Sequence, residues 1–518
     1  MMKTFYKLLV VVFILSACEP SANNQQEKYN EQYRSKVHFS PETGWANDPN
    51  GMVYYDGEYH LFFQHNPDTT IWGPMHWGHA VSKDLIHWEQ LPIALYPDSL
   101  GWIFSGSAVI DWENTSDLGE NGVPPMVAIF TYHNRELENT GTDKFQSQGI
   151  AYSLDKGRSW TKYENNPVLP NPGIRDFRDP KVMWHPESEK WIMTLAVLDH
   201  INFYSSPNLI DWTLESEFGE GIGAHGGVWE CPDLFPLQVE GTDEIKWVLL
   251  VSINPGGPNG GSATQYFVGD FDGHVFEPHG EKTKWLDYGK DNYAGVTWSD
   301  ILDEDGRRIL IGWMNNWQYA NQVPTSTWRG AFTLPRTLKL TEIYNDYLLV
   351  SSPVEEFEKQ KSGSKKISGS IISGMQEIHM KPQFPMEINL NFNTENNTAM
   401  NFGERFGIIL SNEKNESLKI GYDNLNKLFF IDRSNGGWDS PNQEFAGIHY
   451  APYVVSSPSL DLKLIIDESS VELFAVDGLV SMTERLFPSE KFTSISLFSE
   501  KGDVELLSGT ISNLSSIW

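Results

Sequence analysis

Three short segments place a carboxylate beside an aromatic, amide or guanidinium group, with a proline close behind. They are residues 45–52 (WANDPNGM), 177–180 (FRDP) and 229–233 (WECPD). Each enters an apolar, strand-like run, and an isolated Asn-Asp-Pro would be an Asx-turn that opens a strand. Carboxylates held in different surroundings can instead share nucleophilic and acid–base work, because their surroundings set which one keeps its proton. Three such segments in one chain favour this chemical interpretation.

A repeated unit of strands is predicted to bring these distant segments together. Motif starts fall near positions 48, 105, 179, 230 and 297, each followed by turn residues and another apolar run. A second signature recurs later in the unit: Ser-Lys-Asp-Leu-Ile-His-Trp at 82–88, with related runs ending at Trp160 and Trp212. Units of several strands at this spacing are typical of propeller blades. Five starts predict five blades whose first strands line a central channel, so that blades one, three and four supply the acids.

The sequence pattern changes after the last predicted blade. A Ser-Ser-Pro, a mixed-charge run and a Ser-Gly-Ser mark residues 351–365 as a linker. Period-two runs then follow at 386–392, 462–466 and 471–475, and they predict a β-sandwich. The expected organisation is all-β: a five-bladed β-propeller over 35–350, the linker, and a β-sandwich over 366–518.

The three acidic segments resemble those of glycoside hydrolase family 32, the β-fructofuranosidases, inulinases and levanases. A fourth segment, Phe-Ser-Gly-Ser at 104–107, also matches, and the likeness runs from about residue 37 to the C-terminus. That family has a five-bladed propeller and a C-terminal β-sandwich, which agrees with the pattern above. The resemblance implies retaining hydrolysis of terminal β-D-fructofuranosyl linkages in fructans (levan, inulin) and sucrose through a fructosyl-enzyme intermediate.

The same resemblance implies a role for each acid. Asp48 would be the nucleophile, and we expect amide donors on Asn47 and Asn50 to lower its pKa. Glu230 would be the acid/base, with Trp229 and Cys231 providing an apolar setting that favours its protonated form. Asp179 beside Arg178 would be the ionised stabiliser of the transition state. The fructosyl pocket is expected to be lined by Asn47, Gln64, Trp72, Phe104, Ser105, Arg178 and Trp313.

The N-terminal residues are predicted to be an export signal and not part of the folded domains. Lys3 and Lys7 flank a short apolar run that ends in Leu-Ser-Ala-Cys, and this resembles a bacterial lipoprotein signal with Cys18 as the lipidated residue. The chain has 2 Cys, so no disulfide framework competes for Cys18. We expect a signal peptide over 1–18, a flexible tether over 19–34, and an exported protein anchored to a membrane only through Cys18.

Charge and spacing exclude several other classes of function. With 38 Lys and Arg against 69 Asp and Glu, the net charge of −31 argues against nucleic-acid or polyphosphate partners. His60, His65, His76 and His79 share no metal-binding spacing, so we expect no metal and no cofactor. The alternatives left open are an endo-acting levanase or inulinase, a transfructosylase, and a non-catalytic fructan-binding lipoprotein.

Overall fold

The protein is described here from a computed structural model that covers residues 28–302, 304–395, 401–453 and 457–518. The predicted signal peptide, Cys18 and most of the predicted tether lie outside the described residues. The helical elements that lie wholly in the described part are helix α1 (Arg135–Asn139) and three 3-10 turns, Ala320–Gln322, Glu355–Gln360 and Val476–Gly478. None of the helices in these ranges is long and apolar enough to cross a membrane.

The N-terminal part consists of five antiparallel sheets arranged as blades, which confirms the predicted propeller. Blade one contains β1 (Gly44–Tyr55), β2 (Glu58–Asn66), β3 (His76–Ser82) and β4 (Trp88–Leu95). Blade two contains β5 (Trp102–Ile110), β6 (Met126–His133), β7 (Gln146–Ser153) and β8 (Thr161–Lys162). Blade three contains β9 (Phe177–His185), β10 (Lys190–Val197), β11 (His200–Ser206) and β12 (Thr213–Phe218).

The last two blades follow the same plan. Blade four contains β13 (Val228–Gln238), β14 (Ile245–Asn254), β15 (Ala263–Phe271), β16 (Phe276–Pro278) and β17 (Lys284–Trp285). The next strands are β18 (Tyr293–Thr297), β19 (Arg308–Trp313), β20 (Trp328–Arg329), β21 (Arg336–Ile343) and β22 (Asp346–Pro353). All of these except β20 form blade five. Strand β20 pairs in parallel with β1, which closes the ring.

The first strand of every blade carries a bulge at the same level of the channel. The strands β1, β5, β9, β13 and β18 contact one another in a closed ring, so they are the inner strands. In each of them the pairing with the second strand skips one or two residues: Asp48, Phe104–Ser105, Asp179–Pro180, Cys231–Pro232 and Ala294–Gly295. Asp48, Asp179, Cys231 and Ala294 also have positive φ angles, of 27°, 62°, 45° and 53°. Bulges redirect side chains and recur beside active sites. Here they form a ring at one end of the channel.

The C-terminal part is a β-sandwich, as predicted. Its strands are β23 (Lys361–Ile367), β24 (Ser370–Glu377), β25 (Met386–Asn393), β26 (Arg405–Ser411), β27 (Ser417–Asp423), β28 (Leu428–Asn435), β29 (Ile448–Pro452), β30 (Ser459–Ile466), β31 (Ser470–Ala475), β32 (Val480–Arg485) and β33 (Ser494–Leu514). The first part of β33 pairs with β26 and the last part with β25, so this strand belongs to both layers. One apolar core, including Ile408 and Leu464, lies between the layers.

Buried ion pairs fasten the sandwich to the propeller. Arg336 of β21 donates to Asp287 at 2.8 Å and to Glu472 of β31 at 3.0 Å. His38 lies between Asp467 and Glu472, at 2.8 and 2.7 Å. Removing one partner of a buried ion pair destabilises the fold, because the remaining charge is then neither paired nor solvated. They fix how the two parts pack against each other.

Two predicted boundaries need correction. The tether was predicted to extend to residue 34, but Arg34 is fully buried and donates to Pro41 O at 2.7 Å, while Tyr29 stacks on Trp518 at 3.9 Å. The linker was predicted over 351–365, but β22 continues to Pro353 and β23 begins at Lys361. Only Val354 and the 3-10 turn Glu355–Gln360 separate them, because Ser351, Ser352 and Ser364 pair within the strands.

Candidate active site

Asp48, Asp179 and Glu230 line one pocket at the bulged end of the channel. They come from the inner strands of blades one, three and four, and the bulges of those strands set where each side chain points. The pocket has a volume of about 350 Å³. Its other lining residues are Asn47, Gln64, Trp72, Phe104, Ser105, Arg178, Trp317 and Asn321. Acids separated by as many as 182 positions in sequence therefore meet, as the propeller arrangement predicts.

Cys231 connects two of the acids. Its thiol lies 3.8 Å from Oδ2 of Asp48 and 3.6 Å from Oδ2 of Asp179, and its backbone N–H donates to Asp179 at 3.1 Å. Burial raises the pKa of this thiol well above its usual value, and the three carboxylates raise it further. The group therefore stays a protonated donor. Ser105 adds a second donor to Oδ2 of Asp48, at 3.0 Å.

Glu230 is held by polar groups from the two neighbouring blades. Arg178 donates to its Oε1 from Nη2 at 3.0 Å, and the hydroxyl of Tyr293 donates to its Oε2. The expected apolar setting between Trp229 and Cys231 is therefore wrong. Trp229 is fully buried and donates to Ala224 O, so it faces the blade interior. Residues adjacent along a strand point to opposite faces, so they do not form each other's surroundings.

The expected low pKa of Asp48 is also wrong. Burial raises its pKa to about 6, with a further contribution from the charge of Glu230, and the donors on Asn47, Ser105 and Cys231 only partly offset this. Asn50, expected to donate to the carboxylate, instead donates to the backbone carbonyl of Asp48 at 3.0 Å. At neutral pH an acid with this pKa is still mostly ionised.

Burial and nearby partners also act in opposite directions on the pKa of Asp179, and here the rise is larger. Burial raises its pKa to about 7; Arg178 acts against this, and the charges of Glu230 and Asp48 add to it. Strongly perturbed groups clustered in a cleft are a mark of functional sites. The raised pKa values of Asp48 and Asp179 in one pocket therefore point to a functional site.

The pocket wall also contains polar atoms without protein partners. Within the described ranges, Oδ1 of Asp48 and Nε2 of Gln64 are buried and make no hydrogen bond. Asn47 is oriented by Trp45, whose indole N–H donates to its Oδ1 at 2.6 Å, leaving its amide N–H groups toward Asp48. Such unpaired groups cost stability unless a ligand satisfies them. They suit a ligand rich in hydroxyl groups.

Six of the seven predicted binding residues lie at this pocket, and Trp313 does not. Trp313 is fully buried and packs on Trp45 and Trp317, with ring centroids 5.9 and 4.9 Å apart. Trp317, four residues later, and Asn321 form the wall instead. The sequence offered a signal for this, since Trp317 follows two Asn residues in the same loop, but only the fold shows which Trp reaches the pocket.

Asp233, the second acidic residue of the segment 229–233, lies on the other side of the bulge. Its Oδ2 accepts from Thr297 N at 2.6 Å and lies 3.4 Å from Nζ of Lys181. It does not line the pocket. The described residues contain no group of His, Cys, Asp and Glu that could hold a metal ion. The pocket chemistry rests on carboxylates, amides and one guanidinium.

Comparison with known proteins identifies the same two parts. Residues 38–353 match the Glycosyl hydrolases family 32 N-terminal domain, and residues 350–514 match the family 32 C-terminal domain. The chain is 47% identical to a levanase of Bacillus subtilis, over 99% of this chain and 74% of that protein. It is 40% identical to an extracellular exo-inulinase of Aspergillus niger, over 95% of this chain and 96% of that protein.

Solved structures agree in fold. An exo-inulinase from Aspergillus awamori superposes with a TM-score of 0.86 at 37% identity, covering 95% of this chain and all of that one. A β-fructofuranosidase from Schwanniomyces occidentalis, complexed with fructosyl-erythritol, gives 0.85 at 34% identity, covering 94% of this chain and 99% of that one.

Proposed function

The chain belongs to glycosyl hydrolase family 32, and we propose that it removes terminal β-D-fructofuranosyl units from fructans and sucrose with net retention of configuration. The observation that carries this proposal is the meeting of Asp48, Asp179 and Glu230 around one pocket. Its relatives include a levanase and exo-inulinases, whose names indicate action on the fructans levan and inulin. Retaining hydrolysis requires a nucleophilic carboxylate and a proton donor on either side of the scissile bond.

We assign the nucleophile to Asp48. The donors from Ser105 and Cys231 both reach Oδ2, which fixes the plane of the carboxylate. A pKa of about 6 leaves it ionised at neutral pH, and its desolvation makes the anion more reactive than in water. Its attack on the anomeric carbon forms a fructosyl ester while the bond to the leaving oxygen breaks.

Glu230 would supply and recover the proton. In the first step its carboxylic acid protonates the leaving oxygen, and in the second its carboxylate removes a proton from the attacking water. Water then cleaves the ester, free fructose leaves, and both acids return to their starting states. Tyr293 and Arg178 donate to its carboxyl oxygens and hold the side chain in place.

Asp179 and Arg178 would bind the fructosyl hydroxyl groups. Asp179 is anchored by backbone N–H contacts: its own N–H donates to Thr131 at 2.9 Å, and Cys231 donates to its carboxylate. With a pKa of about 7, Asp179 is ionised in only about half of the molecules at neutral pH, so the expected fully ionised group is not what the structure shows. In its ionised form it would stabilise the positive charge that develops on the sugar ring. Gln64, Asn47 and the Trp72 and Trp317 rings complete the proposed sugar contacts.

The size of the pocket supports action at chain ends. A volume of about 350 Å³ is at the small end of ligand sites, which suits a terminal sugar with little of the next unit. Product sizes over time on levan and on inulin test this. Free fructose from the first time point is the expected result. A ladder of oligosaccharides would show endo action, growth of the fructan would show transfer, and binding without any product would show a non-catalytic protein.

We also propose that the chain is exported and held to a membrane through lipid on Cys18. The support is the short apolar run ending in Leu-Ser-Ala-Cys, together with relatives that are named extracellular. In cells given radioactive palmitate, the wild-type protein should be labelled and Cys18→Ser should not. Equal labelling of the two proteins would refute the anchor while leaving the enzymatic proposal intact.

A further inference from the structure

A second, larger cavity opens at the other end of the propeller channel. It has a volume of about 940 Å³ and is lined by the far ends of the inner strands of blades two, three and four and by residues of blade five. Trp184 lies five residues beyond Asp179 on β9, so the two are roughly 16 Å apart along the strand. The two cavities therefore open on opposite faces of the propeller.

Buried contacts across the axis separate the two cavities. Lys181 Nζ donates to Thr297 O at 2.5 Å and lies 3.4 Å from Oδ2 of Asp233. These groups come from blades three, five and four and lie between the two ends of the channel. The far cavity is therefore not an extension of the catalytic pocket, and a ligand there would be held independently of the reacting sugar.

Two tryptophan side chains are exposed at this far mouth. Trp112 is 59% exposed and Trp184 is 38% exposed, and both line the cavity. The Trp112 ring is held in place, because its indole N–H donates to Oδ1 of Asp300 at 2.9 Å and Tyr55 packs against it at 5.7 Å. Trp184 is braced by Trp191 at 5.2 Å. Exposed rings that are fixed in orientation form a preformed stacking surface at little entropic cost.

Polar groups around these rings are also free to contact a ligand. The side chain of Arg308 lines the cavity and makes no hydrogen bond to any residue in the described ranges, and its guanidinium lies over Phe235 at 4.9 Å. Oδ1 of Asp233 is buried and unpaired in the same part of the structure. Exposed carboxylates of Glu113 and Glu187 stand at the rim. Free donors and acceptors around aromatic faces match a polyhydroxylated neutral ligand.

The charge of the lining argues against other ligands. Acidic residues outnumber basic ones, and Lys181 is already paired with Asp233, so an anionic ligand would be repelled. A purely apolar ligand would leave the guanidinium and the carboxylates unsatisfied. A neutral sugar chain satisfies both the rings and the polar groups.

We propose that this far mouth is a second, non-catalytic binding site for the fructan chain, with Trp112 and Trp184 as its stacking surfaces. The identity of the sugar rests on the proposed function; the existence of a second sugar site does not. A polymer held there raises the local concentration of its own chain ends near the catalytic pocket. The site is expected to lower the KM for long fructans and to leave that for sucrose unchanged.

Calorimetric titration with a long inulin oligosaccharide tests the proposal. Asp48→Asn provides a chain that should bind the sugar without consuming it, and two binding events per chain are expected. In the same background, Trp112→Ala with Trp184→Ala should leave one event. Tyr344→Ala, which removes a 78% exposed aromatic elsewhere in blade five, should leave both. One event in all three proteins would overturn the second site.

Two further measurements distinguish loss of the second site from misfolding of the variant and from failure of the proposed function. If the double variant melts lower than the control, Trp112→Ala alone carries the test, and the second event should weaken about three- to tenfold. Without the Asp48 substitution, the double variant should hydrolyse sucrose as wild type does, with KM raised only for long inulin or levan. An unchanged KM for the polymers would contradict the inference, whereas an absence of fructose release by the wild type would instead refute the proposed function.

Discussion

The hydroxyl of Tyr293, on the inner strand of blade five, donates a hydrogen bond to Oε2 of Glu230, on the inner strand of blade four. In the proposed reaction this carboxyl group transfers the proton, so the bond to Tyr293 fixes where that transfer takes place. The bulge at Ala294–Gly295 directly follows Tyr293, so the backbone of this strand sets the position of the hydroxyl that contacts Glu230.

Tyr293→Phe should lower kcat for sucrose by roughly three- to tenfold, because Glu230 loses a donor that holds its carboxyl group in place. The measurement is steady-state sucrose hydrolysis at one neutral pH. Tyr266→Phe, a change at a buried Tyr in blade four whose hydroxyl contacts Leu349 N, is the control and should leave kcat unchanged. An unchanged kcat in Tyr293→Phe would contradict the role given to Tyr293.

Glu230→Ala should separate the acid from the nucleophile. Sucrose and fructans need a protonated leaving oxygen, so their hydrolysis should fall by about 10²–10⁴-fold. Fructosyl fluoride needs no such proton, so the first step with this substrate should be largely spared, and azide should partly rescue turnover. Asp48→Ala should lose both substrates alike. Equal losses for Glu230→Ala on both substrates, with no effect of azide, would exclude Glu230 as the acid/base.

Asp48→Asn should stabilise the protein at neutral pH. Its carboxyl pKa is raised by folding from 3.8 to about 6, so the charged form costs stability at pH values above about 6, and this cost vanishes below the unfolded value. The variant should exceed wild type by about 2–3 kcal/mol at pH 7.5 and match it near pH 4. Denaturant unfolding at the two pH values measures this. The exposed Asp143→Asn is the control. A lower stability of Asp48→Asn at pH 7.5 would show that the ionised carboxylate of Asp48 does not destabilise the folded protein.

His38→Gln should change how the free energy of unfolding of the protein depends on pH. Burial opposes the charge on His38, but hydrogen bonds and charges from Asp467 and Glu472 outweigh it and raise its pKa to about 9. The resulting stabilisation is complete below the unfolded value of 6.5 and is lost as pH rises through about 9. Wild type should lose about 3 kcal/mol over that window and His38→Gln should not. The exposed His87→Gln should keep the wild-type slope, and a wild-type slope for His38→Gln would refute the assignment.

The sequence predicted the fold and the three acids because each acid stands in a contiguous segment that repeats with the blades. The propeller places the starts of blades together whatever their separation, so Asp48, Asp179 and Glu230 could be placed in one pocket without coordinates. The roles of Tyr293 and Trp317 could not be predicted this way. Their positions depend on the register between blades and on a loop, and neither leaves a local pattern.

The errors in the electrostatics have a related cause. The sequence suggested that neighbours along the chain set the surroundings of Asp48 and Glu230. Asn47 does act on Asp48, but Asn50 and Trp229 point elsewhere. The groups that hold Glu230 come from adjacent blades, as Arg178 and Tyr293 do. Burial, which a sequence does not report, then decides the direction of the pKa shift at Asp48.

The central claim is that a covalent fructosyl intermediate forms on Asp48. In Glu230→Ala, fructosyl fluoride should load the enzyme while the second step stays slow, because no general base activates water. Rapid quenching followed by peptide mass mapping should then find one fructosyl group on the peptide that contains Asp48, and none in the double variant that also has Asp48→Asn. A fructosyl group on any other residue, or a first product of inverted configuration with no labelled peptide, would contradict the account.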